Sequence, residues 1–252
     1  MNILIVDDDR DLLTQTKMYL ENKNDDDFDI KTSHKVEKAL EMLDEQDFDI
    51  IVSDYQMPGM DGLEFLEFIR NEKREDIPFI IFTGKGREEV AMKALNLGAN
   101  RYIQKGGETK TQYGFLSDAI KQECEHHRKE KELEKSEKEK SLILENVDEI
   151  IAYHDLDHNI IWANRAYREA TGLSSKELEG KNCYHVWGLD SICKGCPVSK
   201  SISEGKPTIE ELSPENQKHW PPDQGSWLVK GSPVKDEDGN IIGGVEIANE
   251  IT

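Results

Sequence analysis

The strongest constraint on this chain is a series of five short apolar runs in its first half, separated by segments with helical spacing. The segment after the second run, for example, has apolar side chains at Val36, Ala39, Leu40 and Leu43, which fall on one face of a helix. Buried runs that alternate with helices are typical of a parallel sheet with crossover connections. We therefore predict five β/α units, with strands at residues 2–6, 28–31, 49–53, 78–82 and 101–103.

Polar side chains stand at the ends of four of the predicted strands, and the carboxyl ends of parallel strands meet at one edge of a sheet. They are Asp7 and Asp8 after the first strand, Asp54 after the third, Thr83 after the fourth and Lys105 after the fifth. A single aspartate in such a place often does no more than cap a helix. Suitable residues at four strand ends instead favour a shared site.

The chemistry of that site follows from the residue types. Converging carboxylates repel one another, and a hard divalent cation with oxygen ligands, most simply Mg²⁺, relieves the repulsion. An aspartate can then attack phosphorus and form an acyl phosphate. We expect Asp8 and Asp54 to bind the metal. Lys105 would supply a cation and Thr83 a hydroxyl for the phosphoryl oxygens.

Residues 1–123 resemble the receiver domains of two-component response regulators. The run from 54 to 62, Asp-Tyr-Gln-Met-Pro-Gly-Met-Asp-Gly, is similar to the phosphorylation loop of that family. The resemblance implies a flavodoxin-like α/β domain in which Asp54 accepts a phosphoryl group from a histidine kinase. The family's acidic pair corresponds to Asp7 and Asp8, its hydroxyl residue to Thr83, its aromatic switch to Tyr102 and its lysine to Lys105.

The same resemblance implies a magnesium site and a limited chemical activity. Mg²⁺ would bind the carboxylates of Asp7, Asp8 and Asp54 and the backbone carbonyl of Gln56. The domain would be a phosphoacceptor and not a conventional enzyme, with only weak autophosphorylation and autodephosphorylation.

Switching, as the resemblance implies it, moves Thr83 toward the phosphoryl group and turns Tyr102 into the space that it leaves, which is a bistable change of packing. The alternative is that Tyr102 is an ordinary aromatic residue at a strand edge. The chain departs from the family after Lys105, where Gly106 and Gly107 replace the usual proline. Glycine makes tight turns by other dihedral angles.

A helix opens at about Gln112 and leads into residues 123–140, which are almost entirely charged. We assign residues 124–144 as a helical linker between two domains. Cys124 and Leu133 are too few to sustain a heptad seam. A solvated connecting helix is therefore favoured over a dimeric coiled coil.

The second half predicts an α+β domain in residues 145–252, with an antiparallel sheet and helices on one side. We place strands at residues 150–154, 159–163, 208–212, 227–229 and 241–248, and helices at 164–171 and 174–178. This half resembles a PAS domain. The resemblance rests on Asp157, Asn159, Ile160, Asn164, Ala166, Tyr167, Thr171, Gly172, Glu177, Leu178, Gly180, Ser232, Pro233, Val234, Asp238, Gly239 and residues 241–247.

Three cysteines are clustered within this second half. Cys183, Cys193 and Cys196 have the spacing Cys-x9-Cys-x2-Cys, and His185 follows the first of them closely. Zinc with these four ligands is one interpretation, and an iron–sulfur cluster is another. The alternative is a set of small half-buried thiols that only pack the domain or oxidise after purification.

Charge and composition limit the classes of partner. The formal net charge is -20, from 32 Lys and Arg against 52 Asp and Glu, which opposes direct binding to nucleic acid or to anionic membranes. The apolar run at residues 3–6 leaves no room for a signal peptide, and no run reaches the length of a membrane span, so we expect a cytoplasmic protein.

The sequence as a whole therefore predicts a response regulator with a receiver and a PAS output domain, resembling the Fil-type regulators of methanogenic archaea. Its partners would be a cognate histidine kinase and a downstream protein, and any effect on transcription would run through that protein. We also expect a homodimer. The alternative is that the PAS domain senses zinc, an iron–sulfur cluster or a small molecule and modulates the receiver.

Overall fold

Largely apolar strands form the centre of the sheet in the first half of the molecule. The computed structural model describes residues 1–23, 28–73, 76–84, 88–216 and 225–251. Its chain divides into two units, Met1–Glu134 and Lys135–Thr252. The division falls inside the segment that the sequence predicts as a linker.

The sheet of the first unit is parallel and has the strand order β2-β1-β3-β4-β5. Because β1 lies beside β3, the residues that follow these two strands are neighbours at the point where the strand order reverses. The strands are β1 (Asn2–Val6), β2 (Asp29–Ser33), β3 (Ile50–Ser53), β4 (Phe79–Thr83) and β5 (Arg101–Gln104). The helices are α1 (Arg10–Lys23), α2 (Val36–Glu45), α3 (Gly62–Phe68), α4 (Glu88–Asn96) and α5 (Thr109–Glu145), and a π-helical segment, Ile69–Lys73, continues α3.

Each face of this sheet has its own apolar core. Leu4 and Phe79 pack with α2 and α3 residues on one face, and Ile3 and Ile80 pack with α1 and α5 residues on the other. Burial on both faces explains why the three central strands β1, β3 and β4 are almost uniformly apolar, whereas the edge strands β2 and β5 contain polar residues. The prediction of a five-stranded parallel α/β unit is confirmed.

Helix α5 changes its environment along its length. It begins at Thr109 and buries Tyr113, Leu116 and Ile120 against the sheet. After Cys124 its side chains are mostly exposed, and Leu133 is 61% exposed. No helix within the described residues is long and apolar enough to cross a bilayer.

The second unit has an antiparallel sheet with the order β7-β6-β10-β9-β8. Its strands are β6 (Ile150–His154), β7 (Ile160–Ala163), β8 (Thr208–Leu212), β9 (Ser226–Lys235) and β10 (Ile241–Ile251). Its helices are α6 (Arg165–Thr171), α7 (Ser175–Leu178), α8 (Cys183–Val186) and α9 (Pro197–Glu204). Aromatic and aliphatic residues of the sheet and of α6 form its core, among them Tyr167 and Ile160.

Strand β9 and helices α8 and α9 differ from the sequence prediction. The strand has ten residues, whereas residues 227–229 were expected, and neither helix was expected. Gly231 and Pro233 interrupt the apolar pattern that predicts a strand. The glycine has a tertiary reason, because a Cβ at Gly231 would lie 2.3 Å from the carbonyl oxygen of Pro197 at the start of α9.

The side chain of Asn164 fastens the end of α5 to this sheet. Its Oδ1 accepts hydrogen bonds from the backbone N–H of Ile151 at 3.1 Å and of Tyr167 at 3.1 Å, so that it also caps α6. Its Nδ2 lies near three backbone carbonyl oxygens of the segment that leads into β6, those of Leu144, Val147 and Glu149, at 3.3, 3.2 and 2.8 Å. The side chain is fully buried.

We predict that Asn164→Ala lowers the free energy of unfolding of the second unit by about 3 kcal/mol, because it leaves several buried backbone groups without partners. Tryptophan fluorescence during urea unfolding measures this unit selectively, since all 4 tryptophans lie in the second half of the sequence. Asn146→Ala is the matched control, because Asn146 is exposed and bonds only within its own helix end. A loss below about 0.5 kcal/mol in Asn164→Ala, the usual range for surface changes, would contradict the role of Asn164.

Candidate functional site

A buried lysine joins two aspartates at the carboxyl edge of the first sheet. Asp7 follows β1 and Asp54 follows the adjacent β3, and both are buried, at 6% and 8% exposure. Nζ of Lys105, which follows β5, donates to Oδ2 of Asp7 and to Oδ1 of Asp54, each at 2.6 Å. The sheet order therefore assembles these three side chains, as expected from their places at strand ends.

The backbone after Asp54 holds its carboxylate in place. Oδ2 of Asp54 accepts the backbone N–H of Gln56 at 2.7 Å, and the backbone N–H of Gly62 bonds to the carbonyl of Tyr55 at 2.8 Å. A Cβ at Gly62 would lie 2.1 Å from the carbonyl oxygen of Asp54, so only glycine permits this approach. Asp61 completes the loop as the N-cap of α3.

Burial and charge oppose each other at this site. Burial raises the pKa of Asp7 above its ordinary value, although hydrogen bonding to Lys105 lowers it. Lys105 divides its ammonium between two carboxylates, so it offsets only part of the cost of burying Asp7. Burial also disfavours the ammonium of Lys105, but its hydrogen bonds to Asp54 and Asp7 outweigh that effect and raise its pKa.

The other residues expected near Lys105, Asp7 and Asp54 differ in their exposure to solvent. Thr83 is buried, and its carbonyl accepts the backbone N–H of Lys105 at 2.7 Å. Asp8 and Gln56 are exposed. The hydroxyl oxygen of Tyr102 is buried without a hydrogen-bond partner among the described residues.

The turn after Lys105 is made without proline. Gly107 has a φ of +84°, in the left-handed region that favours glycine, and the backbone N–H of Gly106 donates to Oε1 of Gln112 at 2.8 Å. Lys105 is nevertheless directed at both aspartates. The glycine pair is thus compatible with this lysine geometry.

A second group of chemically distinctive residues lies inside the second unit. Cys183, Cys193, Cys196 and Glu246 line one cavity, together with Trp187 and other apolar side chains. Cys193 donates its S–H to Cys196, which holds the pKa of Cys196 below that of an ordinary thiol. Sγ of Cys196 also accepts the backbone N–H of Ser199 as the N-cap of α9.

Two histidines that the sequence did not single out lie beside Cys183. The ligand atoms of His154, His158 and Cys183 all lie within 4.8 Å of one another. His185, by contrast, is exposed and its ring packs on Tyr184, so the structure does not bring it to this group. Sequence spacing missed both histidines because β6 and the β6–β7 turn approach Cys183 only in the folded unit.

We predict that Asp7→Asn stabilises the first unit by on the order of 1 kcal/mol at about pH 7, because the cost of a buried charge disappears. Because the pKa of Asp7 is raised in the folded state, the wild-type unit becomes less stable as pH rises from 3.8 through that raised pKa. The advantage of the variant should therefore shrink as pH falls toward the ordinary value of 3.8. Calorimetric unfolding across this pH range measures it, with exposed Asp8→Asn as the control. A less stable Asp7→Asn at neutral pH would mean that the contact with Lys105 outweighs burial.

Family models of known domains match both halves of the chain. The family model of the response regulator receiver domain matches residues 3–111, and that of the PAS fold matches residues 144–252. The response regulator SaeR of Staphylococcus aureus is 28% identical over 220 residues, which cover 84% of this chain and 90% of SaeR.

Solved receiver domains have also been matched to the chain. A CheY-like receiver domain protein of Methanospirillum hungatei is 29% identical, covers 51% of this chain and 97% of its own, and has a TM-score of 0.45. One from Clostridium thermocellum is 26% identical, covers 50% of this chain and 96% of its own, and also has a TM-score of 0.45. The two family matches alone identify residues 3–111 as a response regulator receiver domain and residues 144–252 as a PAS fold.

Proposed function

We propose that Asp54 accepts a phosphoryl group from a histidine kinase and that the receiver domain passes this state to the PAS domain. The observation that carries the proposal is the pair of 2.6 Å contacts that Lys105 makes with Asp54 and Asp7. They bring a nucleophilic carboxylate, a second carboxylate and a cation to one sheet edge, which is the set that acyl phosphate formation requires.

In the proposed reaction, one carboxylate oxygen of Asp54 forms a bond to phosphorus while the P–N bond to the donor imidazole breaks and the imidazole keeps the electron pair. The backbone N–H of Gln56 orients the carboxylate through its 2.7 Å hydrogen bond to Oδ2. Lys105, already bonded to Oδ1, is placed to neutralise a phosphoryl oxygen. Thr83 lies buried at the end of β4, where its hydroxyl would donate a hydrogen bond to a second phosphoryl oxygen.

The donor set at this edge fits Mg²⁺. The carboxylates of Asp7 and Asp54 converge on one lysine, and Asp8 adds an exposed carboxylate beside them, so that the available ligands are oxygens, as this cation prefers. The backbone carbonyl of Gln56 is the fourth proposed ligand. A bound Mg²⁺ would neutralise charge on the phosphoryl oxygens.

The proposed output is a change of protein contacts. Tyr102 has a buried hydroxyl oxygen, and its pKa is raised by burial and then by nearby Tyr55 and Asp54, so its ring lies close enough to the site to respond to a change there. The net charge of -20 favours a protein partner over direct contact with DNA. We further propose a homodimer and a cytoplasmic location.

We expect the full chain to be phosphorylated by acetyl phosphate with Mg²⁺, and Asp54→Asn to abolish the labelling because the amide is a poor nucleophile. Intact-mass spectrometry detects the added phosphoryl group, and its loss on treatment with hydroxylamine identifies an acyl phosphate. Removal of Mg²⁺ with a chelator should also prevent labelling.

Asp29→Asn is the matched control for that experiment. It removes a carboxylate from the same domain at an exposed position on β2, 62% exposed at the side chain, and should leave labelling unchanged. Undiminished labelling of a folded Asp54→Asn variant would overturn the assignment of Asp54.

A further inference from the structure

The PAS domain contains a group of potential metal ligands, two buried histidines and one partly buried cysteine, which lie outside the phosphoacceptor site. One ligand atom each from His154, His158 and Cys183 lies within 4.8 Å of the other two. Two imidazole nitrogens and a thiolate form a donor set that suits zinc. We propose that His154, His158 and Cys183 bind one zinc ion, with the fourth position taken by a ligand other than these three.

The separation of the three atoms is close to what zinc requires. With Zn–N bonds of about 2.0 Å and Zn–S bonds of about 2.3 Å, the ligand atoms of a tetrahedral site lie roughly 3.3 to 3.8 Å apart. The observed limit of 4.8 Å therefore leaves shifts of about 1 Å for the side chains to make on binding.

Three of the four ring nitrogens of these histidines have no hydrogen-bond partner among the described residues. His154 is 0% exposed, and neither of its ring nitrogens makes a hydrogen bond with a described residue. Nδ1 of His158, which is also buried, is likewise without a partner among the described residues. Buried polar atoms are rarely left unsatisfied unless they serve a ligand or a bound water.

An oxygen atom lies near one nitrogen of each ring. Nε2 of His158 lies 2.7 Å from Oγ of Ser199, and Nε2 of His154 lies 3.4 Å from Oε2 of Glu246. Metal-binding histidines commonly donate their second N–H to such an outer oxygen, which fixes the ring and leaves the other nitrogen free to bind the ion. Ser199 is thus placed as a positioning residue for His158, whose Nδ1 is the nitrogen left to the ion.

The backbone at His158 makes the presence of an imidazole there unusual. His158 has a φ of +64° and is the sole non-glycine with positive φ in the described part of the chain. The hairpin that joins β9 and β10 repeats the same turn: Asp155 and Asp236 each accept the backbone N–H groups two and four residues later. In that second turn the matching position is Gly239, with a φ of +86°.

The two turns have the same backbone hydrogen bonds but different residues at the position with positive φ. The turn of the second hairpin uses glycine, which adopts this conformation without strain. The first hairpin keeps a histidine at the equivalent place, and its ring is directed into the domain, where it meets Ser199. The turn itself therefore does not require an imidazole, whereas the proposed zinc site uses this imidazole as a ligand.

The other two cysteines are engaged differently. Cys193 and Cys196 are free thiols that share a hydrogen bond, and Cys196 caps α9. Cys183 alone among the three thiols falls within the group of ligand atoms. The spacing of the cysteines along the chain predicted a different ligand set in this domain, with Cys193, Cys196 and His185 in place of His154 and His158.

The test uses the full chain, stripped with a chelator and dialysed against Zn²⁺ alone. We expect one tightly bound zinc per wild-type chain by elemental analysis, and thiolate charge-transfer absorption when Co²⁺ replaces Zn²⁺. His158→Gly is the decisive variant, since Gly239 shows that glycine suits this turn. It should fold and should weaken zinc binding by at least about 100-fold, more than the loss of an outer-shell partner costs.

Further variants test the ligand set. Cys183→Ser should also lose zinc and the cobalt absorption, and Ser199→Ala should weaken binding by roughly 10- to 100-fold. His185→Ala and Cys193→Ser are the matched controls and should bind as the wild type does. Circular dichroism and tryptophan fluorescence establish that each variant is folded.

Three results would overturn the proposal. They are a wild-type chain that binds no zinc, folded His158→Gly and Cys183→Ser variants that bind it as tightly as the wild type, and a loss of zinc in Cys193→Ser but not in His158→Gly. The last would assign the metal to the cysteine pair. None of these results depends on phosphorylation of Asp54.

Discussion

The contact of one ammonium group with two buried carboxylates organises the receiver domain. Lys105 reaches from the end of β5 to Asp54 after β3 and to Asp7 after β1, so a single side chain joins three strand ends across the sheet. Two carboxylates against one ammonium leave a net negative charge in a partly buried space. That imbalance costs folding stability, and a divalent cation would relieve it.

Much of this arrangement was predictable from sequence because it depends on local features. The central strands β1, β3 and β4 are nearly continuous apolar runs, and the polar residue that ends such a run lies at the sheet edge whatever the surrounding loops do. Asp7, Asp54 and Lys105 therefore meet once the strand order is known. The exposure of Asp8 and the left-handed turn at Gly107 were not predictable, since they depend on how the loops pack.

The PAS domain was less predictable because its chemistry depends on tertiary approach. Strand β9 contains Gly231 and Pro233, which weaken a strand pattern, and only the closeness of α9 explains the glycine. His154 and His158 belong to a strand and a turn about thirty residues before Cys183 in the sequence, and no spacing rule joins them. His185 lies near Cys183 along the chain, yet the short helix α8 leaves it exposed.

The single buried amide of Asn164 has a consequence for cooperativity. It bonds to the last turn of α5, the start of β6 and the first turn of α6 through one side chain, so opening any one of the three disturbs a side chain that the other two share. Fraying of a helix end is ordinarily a local event of low free energy. Here fraying of α5 costs a hydrogen bond of the same amide that the PAS sheet uses, which couples the helix end to the sheet.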